Sequence, residues 1–351
     1  MKKQFITIII LVIVVIAGMA EEKRVGILEG VNNPEMMVSD GLSLYVLDGI
    51  DIHQYRLEPL KKIRKFGKRG NGPGEFQSDF INKLRIGLSQ DHLLVSNFNK
   101  IAYFTKSGQF IREIRLPFAA SQITAVKNKL LITRFIEGEK GVNQMGVILY
   151  DQRLKAIKTL YTKPEISVQR SRQLSAPNEM VFTFFKRHIF IADQAELKIH
   201  VFDSNGNRIK TIAKVTQKRL VSNQYKKEVY QWFEDLWQSR FSQYAKSQNI
   251  SKETMKKMIA FPTHFPAFRS ISIHKNYFLV ETYQKKKNKS LYIRMDLQGN
   301  ELEKRWLTDA EPGRVKMMSK FTYTTIGNFY YYFKENIEDE SWALFKTKLI
   351  N

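Results

Sequence analysis

The chain has 351 residues, 43% of them hydrophobic and 12% aromatic, which is enough apolar surface to exclude global disorder. Its 57 Lys and Arg against 34 Asp and Glu give a formal charge of +23, suited to an acidic partner or to a solvated basic surface; the basic residues run along the whole chain, which weakens the case for one specific patch. Cysteine is absent, which excludes disulfides, thiolate metal sites, a cysteine nucleophile and a lipid-bearing cysteine.

The N-terminus carries Lys2 and Lys3, then an apolar run from Phe5 to Ala17, then Gly18-Met19-Ala20 before two glutamates. The run is short for a membrane span, and small residues at 18 and 20 fit a signal-peptidase site. Residues 1–20 are therefore expected to be a cleaved signal peptide, with an uncleaved anchor as the alternative. Either way residues 21–351 are expected outside the cytoplasm, in the periplasm, on the surface or secreted.

A repeat follows. An aromatic or large apolar residue, a polar residue and a turn recur at Tyr55-Arg56-Leu57-Glu58, Phe104-Thr105-Lys106-Ser107-Gly108, Tyr150-Asp151-Gln152-Arg153, Phe202-Asp203-Ser204-Asn205-Gly206 and Met295-Asp296-Leu297-Gln298-Gly299. Each reads as a hairpin with Asp/Asn/Gly turn chemistry. An apolar strand precedes each one: Leu44–Leu47, Leu93–Val95, Leu130–Ile132, Ile189–Ile191 and Tyr277–Val280. The steps are 49, 46, 52 and 93 residues. A period near 50 with several short strands predicts the four-stranded blades of a propeller.

The long step contains a different pattern. Tyr225, Val229, Trp232, Phe233, Leu236, Trp237, Phe241 and Tyr244 fall at three- and four-residue steps, an amphipathic helix. Ser251 is placed to cap a second helix over Lys252–Ala260, ended by Pro262. Setting aside 216–260 as a helical insertion shortens the step from 93 to 48, one blade period. At the C-terminus Phe345 stands 50 residues after Met295, and too few residues follow to finish a blade. The spare segment Arg24–Glu29 is expected to pair into the last blade and remove its open edge. The expected fold class is all-β, a six-bladed β-propeller with one α-helical insertion.

Phe66-Gly67-Lys68-Arg69-Gly70-Asn71-Gly72-Pro73-Gly74-Glu75-Phe76 resembles the loop between blades in NHL-type repeats and in the bacterial six-bladed β-propeller family of exported proteins. Phe261–Ile271, with Pro262, His264, Pro266 and Arg269, resembles the Pro-rich lead into a later blade of that family. The resemblance spans most of 24–350. It implies the fold, and it implies function weakly. Gly67, Gly70, Gly72 and Gly74 permit unusual backbone angles and Pro73 fixes one torsion. Glu75 is suited to accept backbone hydrogen bonds and Phe76 to pack between blades. A phosphate-cradling role would need a following helix and a Lys-Ser/Thr ending, and both are missing.

The six histidines, His53, His92, His188, His200, His264 and His274, lack metal-ligand spacing, and no GxSxG element occurs. No cofactor is required by the sequence, while a central metal ion stays open. Asp193 is expected to tie a turn. Connections leaving a blade's outer strand share one face with the loops after second strands, among them Asn97–Lys100, Arg134–Glu137 and Asp193–Glu196. That face carries the candidate ligand-facing residues Glu75, Arg134, Asp193, Trp232, Trp237, His264 and Arg269. The two tryptophans lie on the helix's apolar stripe, which favours packing over partner contact. The expected function is a monomeric, non-catalytic binder of a protein, peptide or glycan partner on the insertion-bearing face. An acidic partner would suit the charge, nucleic acid is disfavoured outside the cytoplasm, and membrane contact is expected only through an uncleaved N-terminus. The alternative, by analogy with propeller lyases and calcium-dependent hydrolases, is an enzyme with a metal or polar cluster at the central channel.

Overall fold

The computed structural model describes residues 22–77, 83–137, 143–164, 174–175, 181–193, 197–214, 219–238, 242–247, 249–257, 259–274, 276–287, 289–308, 323–336 and 339–349. The expected leader at 1–20, Phe241 and the side chain of Tyr244 lie outside these.

The first strand, β1 (Glu22–Ile27), belongs to the last blade. Blade 1 is β2 (Pro34–Ser39), β3 (Ser43–Asp48), β4 (Asp51–Arg56) and β5 (Lys61–Phe66). Blade 2 is β6 (Arg85–Leu88), β7 (His92–Ser96), β8 (Lys100–Thr105) and β9 (Phe110–Arg115). Blade 3 is β10 (Gln122–Val126), β11 (Lys129–Glu137), β12 (Asn143–Tyr150) and β13 (Ala156–Pro164). After the short β14 (Leu174–Ser175), blade 4 is β15 (Val181–Phe185), β16 (His188–Asp193), β17 (Leu197–Asp203) and β18 (Arg208–Lys214). Among the described residues the helices α1 (Asn223–Leu236), α2 (Ser242–Ser247) and α3 (Lys252–Lys257) follow, and then β19 (Ile259–Ala260). Blade 5 is β20 (Ser270–His274), β21 (Tyr277–Lys286), β22 (Lys289–Asp296) and β23 (Glu301–Thr308). Blade 6 is β24 (Tyr323–Ile326), β25 (Phe329–Asn336), β26 (Ser341–Lys348) and, as its outer strand, β1.

The chain is thus a six-bladed β-propeller. The first strands of successive blades pack side by side, β2 against β6 and β24, β10 against β6 and β15, and β15 against β20. The Ser270 and Tyr323 hydroxyls, 2.9 Å apart, bridge β20 and β24. β1 pairs antiparallel with β26, Glu22 opposite Thr347 and Ile27 opposite Ala343, and this pairing closes the ring. Leu28 N then donates to Trp342 O at 2.7 Å, and Trp342 Nε1 to Asn32 O at 2.9 Å.

Each sheet is covered on both faces by its neighbours. Its second strand is therefore an unbroken apolar run whose side chains alternate between two interfaces. In β3, Leu44 and Val46 face blade 6 while Tyr45 and Leu47 face blade 2. Six such slabs, one per blade interface, form the core of the ring. The fourth strands lie outside and are rich in Lys and Arg, as in Lys61-Lys62-Ile63-Arg64-Lys65, so part of the excess charge guards strand edges.

The repeat has a structural cause. In all six blades the pairing of third and fourth strands slips by one residue next to Tyr55, Phe104, Tyr150, Phe202, Met295 and Phe345. The extra residue is aliphatic each time: Ile63, Ile111, Ile157, Ile209, Leu302 and Val25. A bulge there increases local twist and spoils the outer edge as a template. Three of the adjoining turns are held alike. Asp151, Asp203 and Asp296 each accept from backbone N–H groups two and four residues on, at 2.8–2.9 Å.

Two local expectations are corrected. The helix expected over Lys252–Ala260 ends at Lys257, because Ile259–Ala260 pairs in parallel with Leu174–Ser175 and buries Ile259. Arg134–Glu137 is not a loop but the upper part of β11, paired with Asn143–Gly146.

Candidate functional site: the face bearing the insertion

Strand polarity puts the Asp turns on one face of the ring. The connections from fourth to first strands, and from second to third strands, lie on the other. Blades 1 and 2 are low on this second face, since β3 and β7 end level with the starts of β2 and β6. In blade 3, β11 continues four residues past the start of β10; in blade 5, β21 continues five past the start of β20. At about 3.3 Å per residue these hairpins stand roughly 13 and 16 Å higher.

The insertion rises between them, from blade 4 to blade 5. Its neck is a short antiparallel pair: Val221 N donates to Thr263 O at 3.0 Å, Phe265 N to Arg219 O at 2.8 Å, and Leu220 lies opposite His264. The Ser222 hydroxyl accepts from Tyr225 N at 3.1 Å and caps α1; Ser251 caps α3 through Thr254 N at 3.1 Å. Val229, Phe233 and Ile259 form a seventh core with half-buried Tyr225, Tyr230, Trp232, Trp237, Met255 and Phe261 around it. The β14–β19 pair joins the insertion to the connection between blades 3 and 4.

A ladder of rings fastens the insertion to blade 5. Tyr225 meets Phe265 edge-on at 4.8 Å, and Phe265 stacks on Tyr283 at 4.8 Å. Burial pushes the Tyr225 hydroxyl up to about 12, against the opposing charge of Arg269. Beneath lies a polar seam between blades 5 and 6. Buried Glu281 faces Arg269 at 3.3 Å and accepts from Ser270 Oγ at 2.8 Å. The Tyr292 and Tyr330 hydroxyls lie 3.2 Å apart in the same interface. Burial, with Glu281 nearby, drives the Tyr292 pKa well upward.

The candidate residues fall into separate places. Arg269 is in the seam. Trp232 and Trp237 pack in the insertion's own core, and His264 is exposed on the neck. Arg134 lays its guanidinium over the Phe118 ring at 4.4 Å in blade 3. Asp193 ends β16, where its carboxylate accepts from Tyr161 Oη of blade 3 at 2.7 Å. Lys163 stands close to Asp193, and burial lowers its pKa against that attraction.

The glycine loop is built as a structural element. Glu75 accepts from Gly72 N at 3.0 Å and pairs with Lys68, whose hydrogen bond holds its carboxyl below the usual range. Phe76 is buried beneath the Lys100 ammonium, 4.7 Å from its ring centre, and Gly70 N donates to Phe76 O at 3.1 Å. Glu113 accepts from Gly74 N and from Lys100 Nζ, both at 3.1 Å. Gly67 has φ +119°, and a Cβ there would fall 2.2 Å from Ile50 O.

Ser270, Glu281 and Tyr323 escaped the reading of the sequence. The available signal was Glu281, the one acid in the otherwise apolar start of Tyr277-Phe278-Leu279-Val280-Glu281. Among the described residues, no three His, Asp or Glu side chains converge to hold a metal ion.

Comparison with known proteins agrees with this architecture. The model of the family DUF5128, described as a 6-bladed beta-propeller, matches residues 61–175. No curated protein shows significant similarity to the chain. The crystal structure of BF0058 from Bacteroides fragilis NCTC 9343, a protein described as exported, is 12% identical, with a TM-score of 0.55 over 95% of both chains. That of a duf4221 family member from Bacteroides vulgatus ATCC 8482 is 10% identical, with a TM-score of 0.55 over 94% of this chain and 97% of the other. The chain is a six-bladed β-propeller, similar in fold to these bacterial proteins and, over residues 61–175, to the matched family model.

Proposed function

We propose that this chain is an exported, monomeric, non-catalytic propeller that binds a protein, peptide or glycan on the face bearing the insertion. One observation carries the reading. The insertion has its own neck and its own core, and among the described residues it adds no side chain to the six slabs of the ring, so its presence asks for another role. Export rests on the apolar run at Phe5–Ala17 with small residues at 18 and 20, and a structural neighbour is described as exported. The likeness of Phe66–Phe76 to NHL-type loops supports a kinship with the exported propellers. β1 begins at Glu22 on the turn face, so a retained leader would leave the ring opposite the insertion. Among the described residues no helix is long and apolar enough to cross a membrane.

The test exploits the neck. Replacing Ser222–Pro262 by two glycines joins ends that are already hydrogen-bonded, so the ring should stay folded. Partner recovery in a pull-down should be lost. Undiminished recovery by the folded variant would remove the basis of the proposal.

A second reading, a hydrolase or lyase at the channel, has the Ser270–Glu281–Tyr323 seam behind it. There Glu281 is already committed to Arg269 and Ser270, and it is the Ser270–Tyr323 contact that joins the two blades. Ser270→Ala should leave partner recovery unchanged; turnover of a captured glycan that disappears in this variant would favour the enzyme.

A further inference from the structure

Positive charge is concentrated beside the aromatic ladder. Among the described residues of 219–257 and 285–289, 11 are Lys or Arg and four are Asp or Glu. Lys285, Lys286 and Lys287 are exposed at the tip of the β21–β22 hairpin, with Lys289 directly after the turn and no acidic residue among them. Lys227, Lys246 and Lys257 are exposed on the insertion, whose first helix has no acidic residue in its first turn. Lys252 and Lys256 share Glu234. The ladder fixes the relation of these groups: Tyr225 in that first helical turn, Phe265 in the neck, and Tyr283 two residues below Lys285.

We propose that this surface binds an anionic polysaccharide, a chain of carboxylate-bearing sugars. The inference rests on the binding function proposed above and names its partner. Two features select this chemistry. The exposed cations of the hairpin tip are all lysines, compact and mobile point charges without the planar fork that grips one carboxylate in fixed geometry, so they suit many weakly placed charges along a polymer. The rings of Phe265 and Tyr283 at the foot of the same hairpin are stacked and half-buried, and the edge they leave exposed is apolar surface of the kind that sugar rings contact. An anionic bilayer would also attract these lysines but would leave the exposed ring surface of Phe265 and Tyr283 unused, and vesicle sedimentation separates the two.

Affinity electrophoresis of the full chain in native gels containing alginate, dextran or poly-L-glutamate tests this, together with sedimentation with phosphatidylglycerol vesicles. Alginate should retard the protein and dextran should not, and added salt should weaken retardation because the charges are exposed. The triple variant K285E/K286E/K287E, at exposed positions, should keep its melting point and bind alginate roughly tenfold or more weakly, three charge reversals each disfavouring the polyanion. Tyr283→Ala should weaken alginate binding while leaving any binding to poly-L-glutamate unchanged. No retardation by alginate, equal retardation by poly-L-glutamate, binding to vesicles alone, or an unaffected triple variant would each overturn the proposal. If the two-glycine replacement loses a captured partner that the triple variant keeps, this inference falls and the binding function stands; if both keep it, both fall.

Discussion

Phe333 and Phe233 are each 1% exposed, yet they hold different structures together. Phe333 lies in the slab between blades 6 and 1, with Leu28, Val46, Tyr55 and Leu344. Every slab in the ring is shared by two blades, so no blade can lose its packing alone. Phe233 lies with Val229 and Ile259 in a cluster separate from those slabs. The ring is one cooperative body, and the insertion is a module with its own core, held to the ring by its neck, by the Tyr225–Phe265–Tyr283 ladder and by the β14–β19 pair.

The sharpest way to break that contrast is to truncate both rings. Phe333→Ala should lower global stability by about 3–5 kcal/mol, the usual result of emptying a buried aromatic site. Phe233→Ala should melt the insertion and leave the main transition within about 1 kcal/mol, since its core is separate. Urea unfolding followed by circular dichroism distinguishes them; equal losses in the main transition would make ring and insertion one unit. A smaller effect is expected at Gly67→Ala in the loop between blades 1 and 2. Its positive φ and its approach to Ile50 O should cost about 1–3 kcal/mol of ring stability.

Smaller again is an effect of pH on the ring. Burial lowers the pKa of His53, with Lys62 adding to the effect and Asp48 and Asp51 opposing it; burial and then Arg208 do the same at His200. Both rings are thus favoured neutral in the fold, and the unfolded chain takes up protons first as pH falls through about 6.5. Ring stability should be full above that value and decline below it toward the folded-state values. The double variant His53→Gln, His200→Gln should flatten the urea midpoint measured between about pH 7.5 and 5.5. The smallest change is expected at the exposed bulge residue, where Ile157→Ser should alter stability by no more than about 0.5 kcal/mol.

The ring was legible in the sequence because its repeat is a backbone requirement. Tyr55, Phe104, Tyr150, Phe202, Met295 and Phe345 recur at one period because each stands beside the same bulge. Closure was legible because a short last blade and a spare first strand are two halves of one count. The seam was not. Ser270 meets Tyr323 from 53 residues away through side chains alone, and no periodicity marks such a contact. The β14–β19 pair escaped because two residues on each side are too few to form a pattern, and Ile259 reads equally well as the end of a helix.

In the proposed function, partners meet the face carrying the insertion. Protection of lysines from an amine-reactive reagent, with and without bound partner, tests it most directly, because lysines lie on both faces. Protection is expected at Lys227, Lys257 and Lys286, with unchanged labelling of Lys106 and Lys155 at the turns of the opposite face. Protection at Lys106 and Lys155, with Lys227, Lys257 and Lys286 still labelled, would contradict it.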